Sequence, residues 1–516
     1  MTLYHWFLFF LSIQIIHFLG TWKIYVAAGR KAWEAAVPVY NAIILMKIIG
    51  RPTWWTLLLF IPIINLIMFP VIWTETLRSF GKRSTLDTFL GIATFGFYIY
   101  FINYTQKLNY IADRNLNAEN RAADTVSSLL FAIIVATLVH TYVLQPYTIP
   151  TSSLEKSLLV GDFLFVSKVN YGARVPMTTI ALPMVHDSIP MTKCKSYLTW
   201  PQLPYFRLPA FEKIKNCDIV VFNWPVDTVY KFRDNSGRRA YKPIDKKSNY
   251  VKRCVGIPGD SLQIKEGIVY INGKILALPE RAKPQYSYKI AIDGKTPINF
   301  EYLFKDMHVT DGAGFTSETR DTLFVAALTE ESVTRLKNVP GITAVTREIA
   351  KGVENGIFPH INKWNRDNFG PIFIPKEGTT VALNTATLPF YRMIITEYES
   401  NKLEVNGDVI KINGIVANSY TFKQNYYWMM GDNRHNSEDS RYWGYVPGNH
   451  IVGKPVFIWM SWDTNGKGLG KIRWERLFTT VGGDGQPQSY FKFFLILLAA
   501  YFVGEYFWKK RKEKKG

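Results

Sequence analysis

Two long apolar runs, one at each end of the chain, constrain its fold more than any other feature of the sequence. The first extends from Leu3 to Trp22 and the last from Tyr490 to Trp508. Each approaches the length needed to cross the hydrocarbon core of a bilayer. The region between residues 147 and 488 is mixed in polarity, and 516 residues are too many for one ordinary core. The sequence therefore predicts a membrane-anchored protein with a large water-exposed domain.

Further apolar segments near the start of the chain predict a polytopic membrane region. Trp54 to Trp73 and Ser127 to Tyr147 have the composition of membrane spans, whereas Thr88 to Asn103 is shorter. Ala35 to Gly50 is short enough to lie in the interface or to re-enter. The run that begins at Leu3 lacks a basic start and a small-residue cleavage site, which indicates a retained helix rather than a removed signal.

Basic residues beside the apolar runs predict which side of the membrane each loop faces. The C-terminal sequence KKRKEKKG predicts a cytoplasmic tail under the positive-inside rule. Arg114 and Arg121 assign the loop before the last N-terminal span to the same side. Residues 148 and 488 are then both expected on the non-cytoplasmic side. The basic loop at residues 78–83 does not fit a simple count of spans, so the topology of the first hundred residues stays open.

The net charge of +20 has two explanations, nucleic-acid binding and contact with anionic lipid. No zinc-finger spacing or RNA-binding signature accompanies the charge, which favours the lipid explanation. Cys194, Cys217 and Cys254 are too far apart in sequence for a metal-binding pair, and one disulfide is compatible with an oxidising compartment. Nothing in the sequence indicates a metal or an organic cofactor.

The middle of the chain alternates short β-rich runs with Gly, Pro and Asn turns, which predicts a mainly β domain of antiparallel strands. Strands are expected at residues 162–169 and 218–225. The segments 268–276 and 409–416 each contain Asn-Gly between β-branched residues and predict hairpins. A helix is expected at Thr329 to Lys337, within a region from about 283 to 400 that carries few chemical motifs and is interpreted as an inserted subdomain.

A serine-rich stretch, IPTSSLEKSLLVGD at residues 149–162, suggests a nucleophile, and a serine nucleophile needs a base to accept its proton. His435 lies in a loop-like segment and is interpreted as a turn residue. Ser153 and Lys156 fit the pattern S-x-x-K, but the companion motifs S-D-N and K-T-G are missing. Gly161 and Asp162 favour a loop over a helix here, so Lys156 is expected to be a solvated surface charge.

A third candidate base, Lys252, lies in NYVKRCVGIPGD at residues 249–260. Upstream of it are PTSSL at 150–154 and DIVVF at 218–222, and downstream is GDNRHNSEDSR at 431–441. These four motifs resemble those of signal peptidase I, the bacterial leader peptidase family. The motifs occur in the same order, and an apolar helix precedes the serine in both. The resemblance covers roughly residues 128–275 and 405–465.

This resemblance implies a Ser/Lys dyad with Ser153 as nucleophile and Lys252 as general base. Ser153 is favoured over the adjacent Ser152 because the family's nucleophile directly precedes a large apolar residue, here Leu154 in place of Met. The Thr151 hydroxyl, which replaces a family serine, and the Ser153 amide would stabilise the oxyanion. Four further residues are implied to have supporting roles: Ser437 hydrogen-bonds the lysine, Asp439 and Arg441 form an ion pair, and Asp432 is a turn residue.

Lys252 must be uncharged to act as a base, although a free lysine titrates at about 10.4. Burial against apolar walls disfavours the ammonium form. Bringing the pKa to the range of about 7–8 that catalytic lysines reach costs roughly 4 kcal/mol. The dyad therefore requires Lys252 to lie in a dry, apolar cleft.

The resemblance also implies the substrate and the location. The partners would be secretory preproteins with small-x-small cleavage sites, membrane lipid and possible contact with the secretion translocon, but no nucleic acid. The protein would be a multi-pass protein of the bacterial inner membrane, with its catalytic domain on the extracytoplasmic side. The aromatic segment 199–211 is interpreted either as an interfacial apron or as a Pro-rich loop. An extended substrate would pair with a strand edge near Pro150 or Asn249.

Two other classes are weighed against this peptidase. A non-catalytic membrane scaffold that kept the fold is disfavoured because Ser153, Lys252 and Ser437 are all retained. A penicillin-interacting acyl enzyme is disfavoured because the motifs of that class are missing.

The sequence predicts the following divisions of the chain: a membrane region with a cytoplasmic loop at 1–126, an anchor at 127–147, the catalytic core at 148–282 and 405–488, an inserted subdomain at 283–404, a transmembrane helix at 489–508 and a basic tail at 509–516.

Overall fold

A computed structural model describes residues 2–117, 121–192, 194–228, 239–316, 320–361, 363–463, 466–483 and 485–513. The end of the predicted basic tail, residues 514–516, lies outside the described residues. The chain divides into two compact units. The first comprises Met1–Val143, Ala173–Leu208 and Thr228–Lys247, and the second comprises Leu144–Gly172, Pro209–Asp227 and Ser248–Gly516. Segment 173–208, expected in the catalytic core, therefore belongs to the first unit.

The first unit is built on helices that pack around an aliphatic core, which includes Ile24, Ile44, Ile64, Ile72 and Ile102. Its helices are α1 (Leu3–Ala27), α2 (Tyr40–Ile48), α3 (Trp55–Leu58), α4 (Ile64–Ser79), α5 (Thr85–Ala93), α6 (Tyr98–Thr105) and α7 (Arg121–Leu138). A π-helical segment, Val139–Val143, continues α7. Apolar residues are common on all sides of α1, as expected of a helix with an apolar environment.

Three helices of the described residues are long and apolar enough to cross a membrane: Leu3–Ala27, Arg121–Val143 and Phe491–Arg511. Helices α5 and α6 are bent by 116° and could add a broken span or a re-entrant loop. The prediction of one continuous span at Trp54 to Trp73 is wrong, because the chain leaves helical geometry at Ile63, where φ is +71°. The span expected to reach Tyr147 ends earlier, because Leu144–Thr148 pairs as a strand.

The second unit contains the strands and the remaining helices. Its strands are β1 (Leu144–Thr148), β2 (Asp162–Ser167), β3 (Ile219–Asn223), β4 (Asn249–Gly256), β5 (Ser261–Lys265), β6 (Ile268–Ile271), β7 (Lys274–Ile275), β8 (Gln285–Ile292), β9 (Ala313–Phe315), β10 (Thr322–Thr329), β11 (Ile342–Arg347), β12 (Phe369–Phe373), β13 (Thr380–Ala382), β14 (Leu403–Asn406), β15 (Val409–Ile412), β16 (Ile415–Val416), β17 (Ser419–Thr421), β18 (Tyr426–Met430), β19 (Val446–Pro447), β20 (Ile451–Ser461) and β21 (Thr479–Thr480). Its helices are α8 (Phe300–Asp306), α9 (Glu330–Lys337), α10 (Leu388–Met393), α11 (Ser440–Trp443) and α12 (Phe491–Glu513).

The principal sheet has the order β1-β2-β20-β3-β4-β18-β19, with β21 beside β20, and its neighbours pair antiparallel. Strand β4 lies between β3 and β18, where Lys252 is opposite Val220 and Arg253 is opposite Met430. Side chains alternate along a strand, so Lys252 and Arg253 extend to opposite faces of the sheet. The predicted mainly β, antiparallel fold with apolar terminal helices is confirmed.

Smaller sheets, β12-β5-β6-β7, β14-β15-β16 and β13-β17, share an aromatic-rich core with the end of the principal sheet. The predicted hairpins β6–β7 and β15–β16 are present. Their Asn-Gly turns have positive φ at both positions, +53° and +80° in the first and +53° and +83° in the second. This geometry is the one that Asn-Gly favours between twisted strands.

A separate sheet, β11-β8-β10-β9, packs with α8 and α9 around its own core, which includes Tyr288, Ile290 and Leu336. The predicted helix near Thr329 begins with that residue as its N-cap, because the Thr329 hydroxyl accepts from the Ser332 amide. The expected insertion at 283–404 is larger than this sheet. Strand β12 and helix α10 contribute Phe369 and Leu388 to the core of the smaller sheets, so the separate part covers β8 to β11.

Candidate active site

The serine turn, defined here as Thr151–Leu154, follows β1 and contains a short 3-10 segment from Ser152 to Leu154. Leu154 is 1% exposed and packs with Ile149, Leu158 and Val221 in a core beneath the principal sheet. The Asn433 amide donates to the Ser153 carbonyl at 3.1 Å. The turn is therefore held both by a buried leucine and by the 431–441 segment.

Lys252 reaches the serine turn from β4. Its Nζ donates to Ser153 Oγ at 2.5 Å, and the two side chains are buried, with 3% and 8% of each residue exposed. Burial lowers the pKa of Lys252 from its ordinary value of 10.5 to about 8, against the opposing influence of the nearby Asp439 and Glu438 carboxylates. The Tyr250 ring, two residues earlier on the same strand face, lies 5.7 Å from Nζ. A lysine in this state can accept a proton from the hydroxyl beside it.

The two adjacent serines have different partners. The Ser152 hydroxyl accepts from Asn436 Nδ2 at 3.2 Å, whereas the Ser153 hydroxyl is bound by Lys252. The family resemblance favoured Ser153 over Ser152 as the nucleophile. The geometry brings Ser153 and Lys252 together and leaves Ser152 with an amide.

Lys156 does not reach the serine hydroxyls. Its backbone has φ of +70°, so the chain turns away and Ser153 and Lys156 do not share a helical turn. Its Nζ donates to the carbonyls of Met307, at 3.1 Å, and of His308. The expectation of a solvated surface charge is wrong, because these carbonyls hold the partly buried ammonium group at the end of α8.

Asp432 is more than the expected turn residue. It is fully buried, and its carboxylate accepts from Arg253 Nε and Nη2 at 2.7 and 2.6 Å and from Ser157 Oγ at 2.5 Å. Although burial opposes it, Arg253 holds the pKa of Asp432 below its usual range. An arginine on a buried strand needs such a partner. The arginine next to Lys252 was therefore a signal for this ion pair that the sequence interpretation missed.

Asp439 and Arg441 form the expected ion pair, with Arg441 Nη2 at 2.8 Å from Asp439 Oδ2. Arg441 also donates to the Arg434 carbonyl at 2.5 Å, and Asp439 accepts from the Gly431 amide at 3.1 Å. Both residues are buried. Apart from a longer bond from Arg441 to the Arg366 carbonyl, the backbone contacts of their side chains are to the 431–441 segment, which they hold in shape.

Ser437 does not make the expected hydrogen bond to Lys252. Its buried hydroxyl has no hydrogen-bond partner within the part of the chain that the structure describes. A Cβ added to Gly431 would collide with Ser437 Oγ and with the Ser153 carbonyl, so only glycine allows these groups to approach. The lysine amine is engaged by Ser153 instead, and Ser437 lies beside the backbone of the serine turn.

Thr151 is extended, with φ of −137° and ψ of 153°, and directly precedes the 3-10 segment. Neither its hydroxyl nor the Ser153 amide has a hydrogen-bond partner among the described residues. His435 is oriented elsewhere, because its Nε2 lies 2.9 Å from Asp367 Oδ1 and its Nδ1 accepts from the Ser287 amide at 3.1 Å. The three cysteines are free thiols.

Comparison with known proteins adds an independent finding. The signal peptidase family, peptidase S26, matches residues 122–322 and 378–462, which is more than half of the chain. A family of unknown function (DUF5684) matches residues 33–113 in the helical unit. The gap in the first match, 323–377, includes β11 of the separate sheet and β12.

Curated relatives named signal peptidase I match over most of the chain. The Haemophilus influenzae protein is 25% identical over 380 residues, covering 70% of this chain and 76% of that protein. The Helicobacter pylori protein is 25% identical over 368 residues, covering 69% and 92%. The protein of Buchnera aphidicola subsp. Schizaphis graminum is 24% identical over 378 residues, covering 71% and 84%. The chain belongs to the signal peptidase family, peptidase S26.

Proposed function

We propose that this protein is a membrane-bound serine endopeptidase that cleaves N-terminal signal peptides from secreted preproteins. The observation that carries the proposal is the 2.5 Å contact between Lys252 Nζ and Ser153 Oγ, two buried side chains. It is supported by the family membership and by relatives whose names state this activity. The alternative, a non-catalytic scaffold of the same fold, offers no reason for a costly buried amine beside a serine hydroxyl.

The proposed reaction begins with neutral Lys252 taking the proton of the Ser153 hydroxyl. The Ser153 oxygen attacks the carbonyl carbon of the scissile peptide, and the new oxyanion is stabilised by the Ser153 amide and the Thr151 hydroxyl, which have no other partner among the described residues. The lysine ammonium then protonates the leaving amine. Water hydrolyses the acyl-enzyme with Lys252 again acting as base, which regenerates the serine.

Ser437 is proposed to orient the lysine during this cycle. Its buried hydroxyl beside the serine turn, which has no hydrogen-bond partner among the residues that the structure describes, can accept a hydrogen bond once the ammonium forms. Asp439, Arg441 and Asp432 are proposed to act at one remove, because their contacts are to the supporting segment and to Arg253 rather than to the dyad.

The proposed location is the bacterial inner membrane, with the catalytic part on the extracytoplasmic side. The charge bias of the tail and of the loop before α7 supports this orientation. Exposed aromatic side chains in the segment 199–211, including Trp200, Phe206 and Phe211, suit contact with lipid. Secretory preproteins are the proposed substrates, and contact with the translocon is proposed as their route of delivery.

The test uses the full chain in detergent with a preprotein that carries an Ala-x-Ala cleavage site. We expect cleavage after that site, and loss of it in Ser153→Ala and Lys252→Ala. The matched controls Ser152→Ala and Lys156→Ala, which change the neighbouring serine and lysine, should retain it. If Lys156→Ala abolishes turnover while Lys252→Ala does not, the assignment of the base is wrong. A wild-type protein that binds but never cleaves preproteins would favour the scaffold.

A further inference from the structure

The part of the chain that forms the separate sheet β8 to β11 contacts Glu155 and Lys156, which directly follow the serine turn, although the sequence makes it look like an accessory insertion. Gln285, the first residue of β8, donates from Nε2 to the Glu155 carbonyl at 2.9 Å. Lys156 reaches the carbonyls at the end of α8. Met307 and His308 belong to the α8–β9 loop, defined here as residues 307–312, and the same loop also contacts the 431–441 segment through Asp311. These contacts on two sides of the serine turn suggest a role in shaping it.

Asp311 in the α8–β9 loop binds two asparagines of the 431–441 segment. Its Oδ2 accepts from Asn433 Nδ2 at 2.6 Å and from Asn436 Nδ2 at 3.1 Å. An ionised carboxylate can only accept hydrogen bonds, so both asparagines must turn their NH₂ groups toward it. Asp311 therefore fixes the orientation of two side-chain amides at once.

The same two NH₂ groups also donate hydrogen bonds to the serine turn. Asn436 Nδ2 donates to Ser152 Oγ at 3.2 Å, and Asn433 Nδ2 donates to the Ser152 carbonyl at 3.3 Å. The Asn433 backbone amide also donates to the Ser153 carbonyl. Hydrogen bonds thus run from Asp311 through the side-chain amides of Asn433 and Asn436 to Ser152, and the backbone of the same Asn433 binds Ser153.

We propose that Asp311 is a positioning residue for the peptidase reaction: through Asn433 and Asn436 it holds the serine turn so that Ser152 is engaged by an amide and Ser153 meets Lys252. The inference rests on the proposed function and deepens it. It gives the β8–β11 sheet a task in catalysis and explains how a chain with two adjacent serines presents one of them to the base.

The loop that carries Asp311 is itself held by the fold of the sheet. Met307 is 6% exposed in the core of the β8–β11 sheet, and the Val309 amide donates to the Phe304 carbonyl at 2.7 Å. Because this loop is held in place, Asp311 can fix the position of the groups that it binds. A misplacement of about 1 Å at a reacting group can lower the rate on the order of 100-fold.

The experiment compares Asp311→Ala with Asp306→Ala in the full chain in detergent. Asp306 is the matched control, since it is an aspartate at the end of α8 whose exposed side chain pairs with Arg335 rather than with Asn433 or Asn436. We expect Asp311→Ala to lower kcat about tenfold with KM within about twofold of wild type. Asp306→Ala should match wild type, and both variants should unfold near the wild-type temperature. Equal kcat values for Asp311→Ala and Asp306→Ala would overturn the inference.

Two further variants separate positioning from a general structural role. Asp311→Asn keeps one acceptor oxygen and should restore part of the lost kcat. In a double-mutant cycle with Asn436→Ala, the second substitution should add little, because both act through one hydrogen-bonded set. Multiplicative losses would contradict the inference. Normal cleavage by Asp311→Ala would overturn this inference and leave the proposed function standing. A wild-type protein that does not cleave would overturn the proposed function and this inference together.

Discussion

Two lysines show how different surroundings give one residue type different chemistry. Lys156 follows Ser153 by three positions, yet its ammonium group binds carbonyls of the α8–β9 loop. Lys252 is 99 positions from Ser153 along the chain, yet it reaches the serine hydroxyl. Burial lowers the pKa of both, to about 8 for Lys252, while nearby Glu155 and Asp311 oppose the change at Lys156. Distance in sequence is thus a poor guide to which lysine can act as base.

The two faces of β4 make a second contrast. Arg253 on one face has the buried carboxylate of Asp432 as its partner, whereas Lys252 on the other has a serine hydroxyl. The Arg253 guanidinium keeps its proton in either setting, and its carboxylate partner offsets the cost of burying that charge. The Lys252 amine can lose its proton, and burial favours that loss.

The largest expected effect concerns the base itself. Lys252→Met keeps the length and the apolar stem but has no amine, so it should lower kcat/KM for preprotein cleavage roughly 10⁴-fold, or about 5 kcal/mol. Initial rates with purified variants would measure this. Activity within about tenfold of wild type would remove Lys252 from the mechanism.

The next effect is on stability. Asp432→Ala leaves the Arg253 guanidinium buried without its carboxylate, which should lower the free energy of unfolding by about 3–5 kcal/mol. Denaturation of the detergent-solubilised protein would measure the loss. The double variant Asp432→Ala/Arg253→Met should be more stable than Asp432→Ala, because it removes the unpaired charge. If it is less stable, the ion pair is not the source of the effect.

Burying the amine of Lys252 lowers the free energy of unfolding, so replacing this lysine with methionine should stabilise the protein. Because the folded-state pKa of Lys252 is about 8 and its ordinary value is 10.5, the unfolded chain binds more protons between these values. Wild-type stability should therefore rise with pH across this window. Relative to wild type, Lys252→Met should gain roughly 3 kcal/mol at pH 8 and below, and this pH-dependent gain should disappear above about pH 10.5. A stability difference that does not change with pH would contradict the lowered pKa.

The pH dependence of the rate gives a smaller, independent measure. Since neutral Lys252 is the reactive form, kcat/KM should rise about tenfold per pH unit below pH 8 and level off above it. The lowered pKa of Lys252, about 8, sets the expected midpoint. A midpoint between pH 6 and 7 in the free enzyme would indicate a histidine instead.

The smallest effect is expected at the other lysine. Lys156→Met removes the two hydrogen bonds to the α8–β9 loop but leaves the dyad in place, so kcat should fall by less than about fivefold. The rate assay used for Lys252→Met serves here as well. A loss as large as that of Lys252→Met would show that the two lysines share the proton transfer.

Local patterns predicted many elements of this fold. Runs of β-branched and aromatic residues predicted β2 and β3, the two Asn-Gly turns predicted their hairpins, and a helix was predicted at Thr329 to Lys337, where α9 lies with Thr329 as its N-cap. These features depend on residues close together in the chain. The span predicted at Trp54 to Trp73 failed because apolar composition does not reveal a break such as the one at Ile63.

The candidate site was predicted in part. The motifs led to Ser153, Lys252 and the Asp439–Arg441 pair, and these residues do come together within the second unit. The role of Asp432 as the partner of Arg253 was missed, and the hydrogen bond expected from Ser437 to Lys252 was not found. Asp311 has no motif around it, because its contacts depend on how a loop of another sheet folds back onto the 431–441 segment.

The sequence by itself determined the terminal apolar helices, the antiparallel β character and the residue types available for chemistry, since periodicity and turn propensity are properties of neighbouring residues. The tertiary structure decided which serine meets which lysine and how dry their surroundings are. The physical reason is that pKa values and hydrogen-bond partners depend on distances in space between groups that the chain separates widely, and burial arises only when the whole unit packs.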